Sequence, residues 1–166
     1  KVCVNIFYMP HIHEKVDFTV EVFIVFKNKV LLRRHEKYDI WLSVGGHIEL
    51  DENPIQAAIR EVKEEVGLEV EIIGGKKGIG DGSSENKGYQ DLIPPKYLGM
   101  HPAGEIHKHI TLVYFAISNS DKILDATNDE EKTETCWVTK EQLKKMDLVP
   151  NVLFYAEEAL EELGKK

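Results

Sequence analysis

The sequence predicts a mixed α+β sandwich. Three observations carry that expectation. Runs of β-branched and aromatic residues lie on both sides of a strongly amphipathic helical stretch at 53–66. Further helical patterns close the chain. Strands and helices do not alternate regularly, as a doubly wound parallel sheet requires. In chain order, Phe18–Phe26 (FTVEVFIVF) reads as a strand, Lys27-Asn28-Lys29 as a tight polar turn, and Val30–Arg34 as the hairpin partner. Trp41–Val44 is a short strand that ends at Gly45-Gly46. Asn53 has the chemistry of an N-cap, Pro54 suits the first helical position, and Gly67 follows the end of the helix. Leu68–Ile73 alternates as a strand does. The stretch from Gly74 to Gly104, rich in glycine and proline, reads as a long connection, and connections of that length are commonly functional. His109–Ser118 is a strong strand, Asn119–Thr135 a polar acidic loop, and Cys136–Val138 a short strand. Thr139–Gln142 has the form of a capping box opening a short helix, and Asn151–Leu163 reads as a terminal helix capped by Asn151.

Composition narrows the class of function. The 166 residues are 42% hydrophobic and 30% charged, which supports one globular domain over 1–166 with an N-terminal arm at 1–17. No apolar run is long enough for a membrane span, and the first residues lack a secretory pattern. The net charge of −8 disfavours duplex nucleic acid as a partner. Cys3 and Cys136 have no metal-binding spacing, which points to reduced thiols in a cytoplasmic protein. Between His47 and Glu71 stand eight acids and two bases, so that window alone carries −6.

The acids gather on one helix. At about 100° per residue, Ile55, Ala58, Ile59, Val62 and Val66 form an apolar stripe, and Glu61, Glu64 and Glu65 share an adjacent arc. Three like charges at i, i+3 and i+4 destabilise an isolated helix unless a cation offsets them. Oxygen donors of this kind suit Mg²⁺ or Mn²⁺. A solvated acidic face has the same spacing, and the helix by itself leaves both readings open.

The flanks add what the helix lacks. From Gly46 to Leu68 the chain fits G-x5-E-x7-R-E-U-x-E-E-x-G-U, where U is aliphatic, through Gly46, Glu52, Arg60, Glu61, Val62, Glu64, Glu65, Gly67 and Leu68. Chance agreement is about 10⁻⁷ for this composition. The pattern resembles the Nudix box of the Nudix hydrolase superfamily, with a looser resemblance over roughly Phe18–Leu163. The resemblance implies an α/β/α sandwich with a mixed, mostly antiparallel sheet. It also implies hydrolysis of a pyrophosphate bond in a nucleoside diphosphate linked to another group, with Mg²⁺ or Mn²⁺ as cofactor and a small-molecule nucleotide as partner, by a monomer or homodimer. Within it, Glu64 and Glu65 look like metal ligands, and Glu61 like a further ligand or the base that orients water. Arg60 resembles the residue that holds a glutamate in place, and Glu52 a support for that arginine or a water-mediated ligand. Gly45 matches a position whose carbonyl often ligates metal, and Gly46 one where a side chain would crowd it. The family often takes one more acid from a loop before a tryptophan-bearing strand. Glu131 is the choice here, followed by Glu130, with Glu105 a third candidate.

Other residues bear on substrate and on competing functions. The 74–104 stretch is the expected specificity segment. Ser83-Ser84 stand where ADP-ribose pyrophosphatases tend to carry proline, Leu31–Arg34 match the coenzyme A pyrophosphatase motif poorly, and Tyr89 lies only roughly where dinucleoside polyphosphate hydrolases carry tyrosine. These residues do not decide among the subclasses, and a sanitiser of 8-oxo-purine nucleotides stays open beside them. Trp41, Tyr89, Tyr97 and Tyr114 are candidates to stack on a base, with core packing favoured for Trp41 and Tyr114. His101, His107 and His109, like His11 and His13, read as substrate-contacting or hydrogen-bonded residues rather than as zinc ligands, because no fourth ligand is evident. Two other classes compete: a catalytically silent nucleotide-binding sensor or scaffold, which the intact acids disfavour, and a diphosphate isomerase, which needs a cysteine context that Cys3 and Cys136 lack.

Overall fold

The computed structural model describes residues 13, 15–35, 38–75, 90–124 and 134–165. The chain runs β1 (Val16–Phe26), β2 (Lys29–His35), β3 (Ile40–Leu42), β4 (Val44–His47), α1 (Pro54–Val66), β5 (Val70–Ile72), β6 (Tyr97–Pro102), β7 (Lys108–Ser118), β8 (Thr135–Val138), α2 (Lys140–Leu143) and α3 (Pro150–Leu163). All eight strands join one mixed sheet. Its spine is the parallel pair β1–β7, in register from Val16↔Lys108 to Val25↔Ile117. Every other pairing is antiparallel: β2 and β4 on β1, β3 and β8 on β2, and β5 and β6 on β7. The β1–β2 hairpin turns at Lys27 and Asn28, whose φ values of 43° and 60° match the twist of paired strands.

Helices cover both faces, so β1 is buried on both and reads as a nearly continuous apolar run. Val20, Val22 and Ile24 face a core with Ala57, Ala58, Val62 and Val66 of α1. Phe23 and Val25 face the opposite way, into a core with Leu143, Val152, Ala156 and Leu160 of α2 and α3. This is the expected sandwich with its mixed, mostly antiparallel sheet. Among the described residues, no helix is long and apolar enough to cross a membrane.

Four sequence expectations need correction. Trp41–Val44 is not one strand ending at the glycines, because β3 stops at Leu42 to pair with β2, while β4 runs from Val44 through Gly45-Gly46 to His47 on β1. The 74–104 stretch is not all connection, because Tyr97–Pro102 pairs with β7 as strand β6. Partnership along β7 outweighs the poor strand propensity of Gly99 and Pro102. The cap of α3 is Val149 rather than Asn151, with no side-chain hydrogen bond. Pro150 occupies the first helical position, where it needs no backbone donor. Finally, Ile59 is not core and remains 41% exposed, while Ala57 is fully buried. Measured from Ile55, Ala57 lies at about 200°, Glu61 at 240°, Glu65 at 280° and Val62 at 340°, with Ile59 at about 40°. The buried arc of α1 therefore includes two of its acids.

Candidate functional site

The local sequence fixes α1 at both ends. Asn53 accepts from the backbone N–H groups of Ile55 and Gln56, and the Gln56 side chain accepts from Asn53 N–H at 2.9 Å. Gly67 closes the helix in the left-handed conformation, φ 63°. Between these caps, α1 packs beside β4 and turns Glu61 and Glu65 toward it. An added Cβ at Gly46 would enter the space of the Glu61 carboxylate, and one at Gly45 would overlap the backbone carbonyl of Val20. The glycine pair thus lets β4 approach both β1 and the acids.

Arg60 organises the cluster. Its Nε donates to Glu52 Oε2 at 3.0 Å and its Nη2 to Glu52 Oε1 at 2.6 Å, a bidentate pair. Nη1 donates to Glu61 Oε1 at 2.8 Å and to Glu64 Oε2 at 3.0 Å. Nη2 also reaches the carbonyl of His47 at 2.9 Å. Glu65 sits beside this network. Its Oε2 accepts from Gly45 N–H at 3.1 Å, and its Oε1 pairs with Arg33 Nη2 at 2.6 Å. Arg60 and Arg33 are thus cations that offset part of the repulsion among the acids.

The electrostatics differ from one acid to the next. Burial pushes the Glu65 carboxyl up to about 7, against the opposing pull of Arg33. Burial also raises Glu61, with Arg60 pulling the other way. Glu52 is lowered, chiefly by its hydrogen bonds from Arg60. Both shifts come chiefly from desolvation, which favours the neutral form of these partly buried carboxyls unless further positive charge is supplied. With an all-oxygen donor set, the residues fit a hard divalent cation.

Other candidates fall elsewhere. Glu130 and Glu131 lie outside the described residues, as do Ser83-Ser84, Tyr89, Cys3 and His11. Glu105 is exposed in the β6–β7 turn. Tyr97 packs against Tyr155 and Phe154, and its hydroxyl donates to Glu158 at 2.9 Å. Tyr114 is buried in the α1-side core, and Trp41 packs against the opposite one. Cys136 also packs there, and burial raises its thiol pKa.

Three residues near the site were missed as candidates. Arg33 shares the two-residue alternation of Leu31, so its inward direction was available from the strand pattern. Asp17 fell one residue before the expected start of β1. His47 occupied a variable position of the box. Asp17 is fully buried and accepts from His13 N–H at 2.7 Å. Its other oxygen lies 3.4 Å from His47 Nε2 and 3.3 Å from His107 Nε2. A cleft of about 580 Å³ opens between Phe18, Ile48, Leu50, Leu98, Ile110 and Leu112, beside Pro54 at the start of α1.

Comparison with known proteins extends this geometry. The NUDIX domain pattern matches residues 17–156. The crystal structure of a hydrolase of the NUDIX family from Clostridium perfringens aligns with a TM-score of 0.77 at 38% identity, covering 89% of this chain and 97% of that one. The m7GpppN-mRNA hydrolase NUDT17 of Xenopus laevis is 40% identical over 64 residues, 35% of this chain and 22% of its own length. Dihydroneopterin triphosphate diphosphatase of Escherichia coli is 48% identical over 44 residues, 26% of this chain and 29% of its own length. The match thus spans less than a third of either curated relative.

Proposed function

The chain belongs to the Nudix family, and on that premise we propose that it is a divalent-metal-dependent hydrolase cleaving a pyrophosphate bond in a nucleoside diphosphate linked to another group. The observation that carries the reading is the convergence of Glu52, Glu61 and Glu64 on Arg60, with Glu65 tied to Gly45 of β4. Glu64, Glu65 and the carbonyl of Gly45 would hold Mg²⁺ or Mn²⁺, with Glu61 either a further ligand or the base. When bound, the metal neutralises phosphate charge and polarises a phosphoryl oxygen.

The chain's own residues supply the rest. Arg60 fixes the carboxylate planes of Glu52, Glu61 and Glu64, so the donors need not reorganise during reaction. Arg60 holds Glu61 at Oε1. We assign Oε2 of the same carboxylate to take the proton of the attacking water, or Glu131 if Glu61 serves as a ligand. Burial raises the Glu61 carboxyl, the direction that strengthens it as a proton acceptor. The apolar cleft beside α1 suits the organic part of the substrate, and Phe18 offers a half-exposed ring to it. The relatives' names, an mRNA cap hydrolase and a dihydroneopterin triphosphate diphosphatase, supply only a substrate class: a phosphate chain on a larger organic group.

The packing of Cys136 within the α3-side core disfavours the isomerase reading, which needs a thiol facing substrate. A panel of nucleoside diphosphate derivatives with Mg²⁺ or Mn²⁺, scored by product mass, tests the proposal. Cleavage of a diphosphate bond into two phosphorylated products is expected. Nucleotide binding with no turnover across the panel favours a silent sensor instead.

A further inference from the structure

A second cluster of donors lies at the other end of β4. Val20, Val22 and Ile24 of β1 face α1, so Asp17 belongs by alternation to the opposite face. There it meets side chains from three other places in the fold. His47 closes β4, His109 stands beside Asp17 in the β1–β7 register, and His107 immediately precedes β7. His47 Nε2 lies 3.3 Å from His109 Nε2 and 3.4 Å from Asp17 Oδ2. The donor atoms of Asp17, His47 and His109 all fall within 4.8 Å of one another. His101, paired with His109 across β6–β7, stacks edge-on against it at 5.2 Å.

We propose that Asp17, His47 and His109 form a transition-metal site for a dication of the Zn²⁺ class, distinct from the carboxylate site on α1. The donor set is the first argument. Two imidazoles and one carboxylate suit Zn²⁺, Co²⁺ or Fe²⁺, whereas Mg²⁺ prefers the all-oxygen set on α1. The spacing is the second. Donors about 2.0–2.1 Å from a tetrahedral Zn²⁺ stand about 3.3 Å apart, close to two of the separations here. The support is the third. The Asp17 carboxylate is fully buried, fixed at Oδ1 by His13 N–H, and approached at Oδ2 by His107. Outer partners of this kind orient a metal-binding carboxylate. His47 remains 30% exposed on its side chain, which leaves the solvent side open to water or an anionic ligand. The triad was hidden in the sequence because its members come from positions 17, 47 and 109 and carry no local spacing.

The test reads metal binding rather than hydrolysis. Chelator-stripped wild type, Glu64→Gln, His109→Gln and His47→Gln are titrated with Zn²⁺ against a chromophoric competitor. The Co²⁺ absorption spectrum is recorded for each, with melting in EDTA as the fold control. Wild type and Glu64→Gln are expected to bind one Zn²⁺ with equal affinity and to give the strong visible bands of low-coordinate Co²⁺. His109→Gln should bind more than about a hundredfold more weakly with an unchanged melt. If His109→Gln misfolds, His47→Gln reads the same loss. Absence of Zn²⁺ binding by wild type overturns the site. So does undiminished affinity in the folded histidine variants, or a loss of Zn²⁺ confined to Glu64→Gln. A loss of Zn²⁺ confined to Glu64→Gln would place the metal on α1, and the other outcomes leave Mg²⁺-dependent hydrolysis untouched, so the two assignments fail separately.

Discussion

Glu65 shows how one residue serves two opposed demands. Its carboxylate is held between Arg33 and the Gly45 N–H, yet burial dominates and lifts its pKa from 4.5 to about 7. The folded protein therefore binds this proton more tightly than the unfolded chain does. The resulting stabilisation is fully present below pH 4.5 and is lost as the pH rises through 7, by roughly 3 kcal/mol at most. Thermal melts in EDTA across pH 5–8 should show wild type falling relative to Glu65→Gln, and parallel curves would contradict this. Arg60 makes the complementary case. Lysine keeps the charge but cannot bond Glu52 through two nitrogens while also bridging Glu61 and Glu64. Arg60→Lys should cost at least about tenfold in kcat, with a smaller change in KM. A variant with wild-type kcat would remove Arg60 from its positioning role. The gathering of Glu61, Glu64, Glu65 and Arg60 in one place was legible because the box spacing names them. Arg33 was not, since its contact with Glu65 joins two elements distant in sequence.

At the scale of the element, α1 is where sequence and structure agree on identity and differ on rotation. Its caps were readable from Asn53, Pro54 and Gly67, because capping is local chemistry. Its buried arc was not. Periodicity locates apolar residues, but packing beside β4 draws Glu61 and Glu65 inward and leaves Ile59 at the edge. Ile59→Ala should therefore cost less than about 1 kcal/mol, whereas Val62→Ala, at a fully buried position, should cost about 2 kcal/mol. Equal losses in urea denaturation would contradict the observed rotation. Asn53→Ala should cost about 1 kcal/mol by removing the capping box. Strand β6 escaped the sequence reading for a related reason. Only its pairing with β7, a tertiary event, makes a strand of residues interrupted by Gly99.

At the scale of the whole molecule, the sheet is a frame that brings distant chemistry to β4. One of its faces receives the acids of α1. The other, at the far end of the same strand, gathers Asp17 and the histidines. The sandwich itself was legible from the box and the strand order, while the joining of Asp17 to His109 required the parallel β1–β7 register. The central claim is that Glu64 acts in hydrolysis rather than in folding. Its side chain is 57% exposed and bonds only one Arg60 nitrogen, so neutralising it should leave the fold intact. The direct measurement pairs a thermal melt of Glu64→Gln in EDTA with steady-state hydrolysis of a nucleoside diphosphate derivative in Mg²⁺. The expected result is a melting temperature at or above that of wild type and a kcat lowered by at least about a hundredfold, equivalent to about 3 kcal/mol of barrier. Hydrolysis at the wild-type rate, or unfolding of the variant in EDTA, would contradict the account.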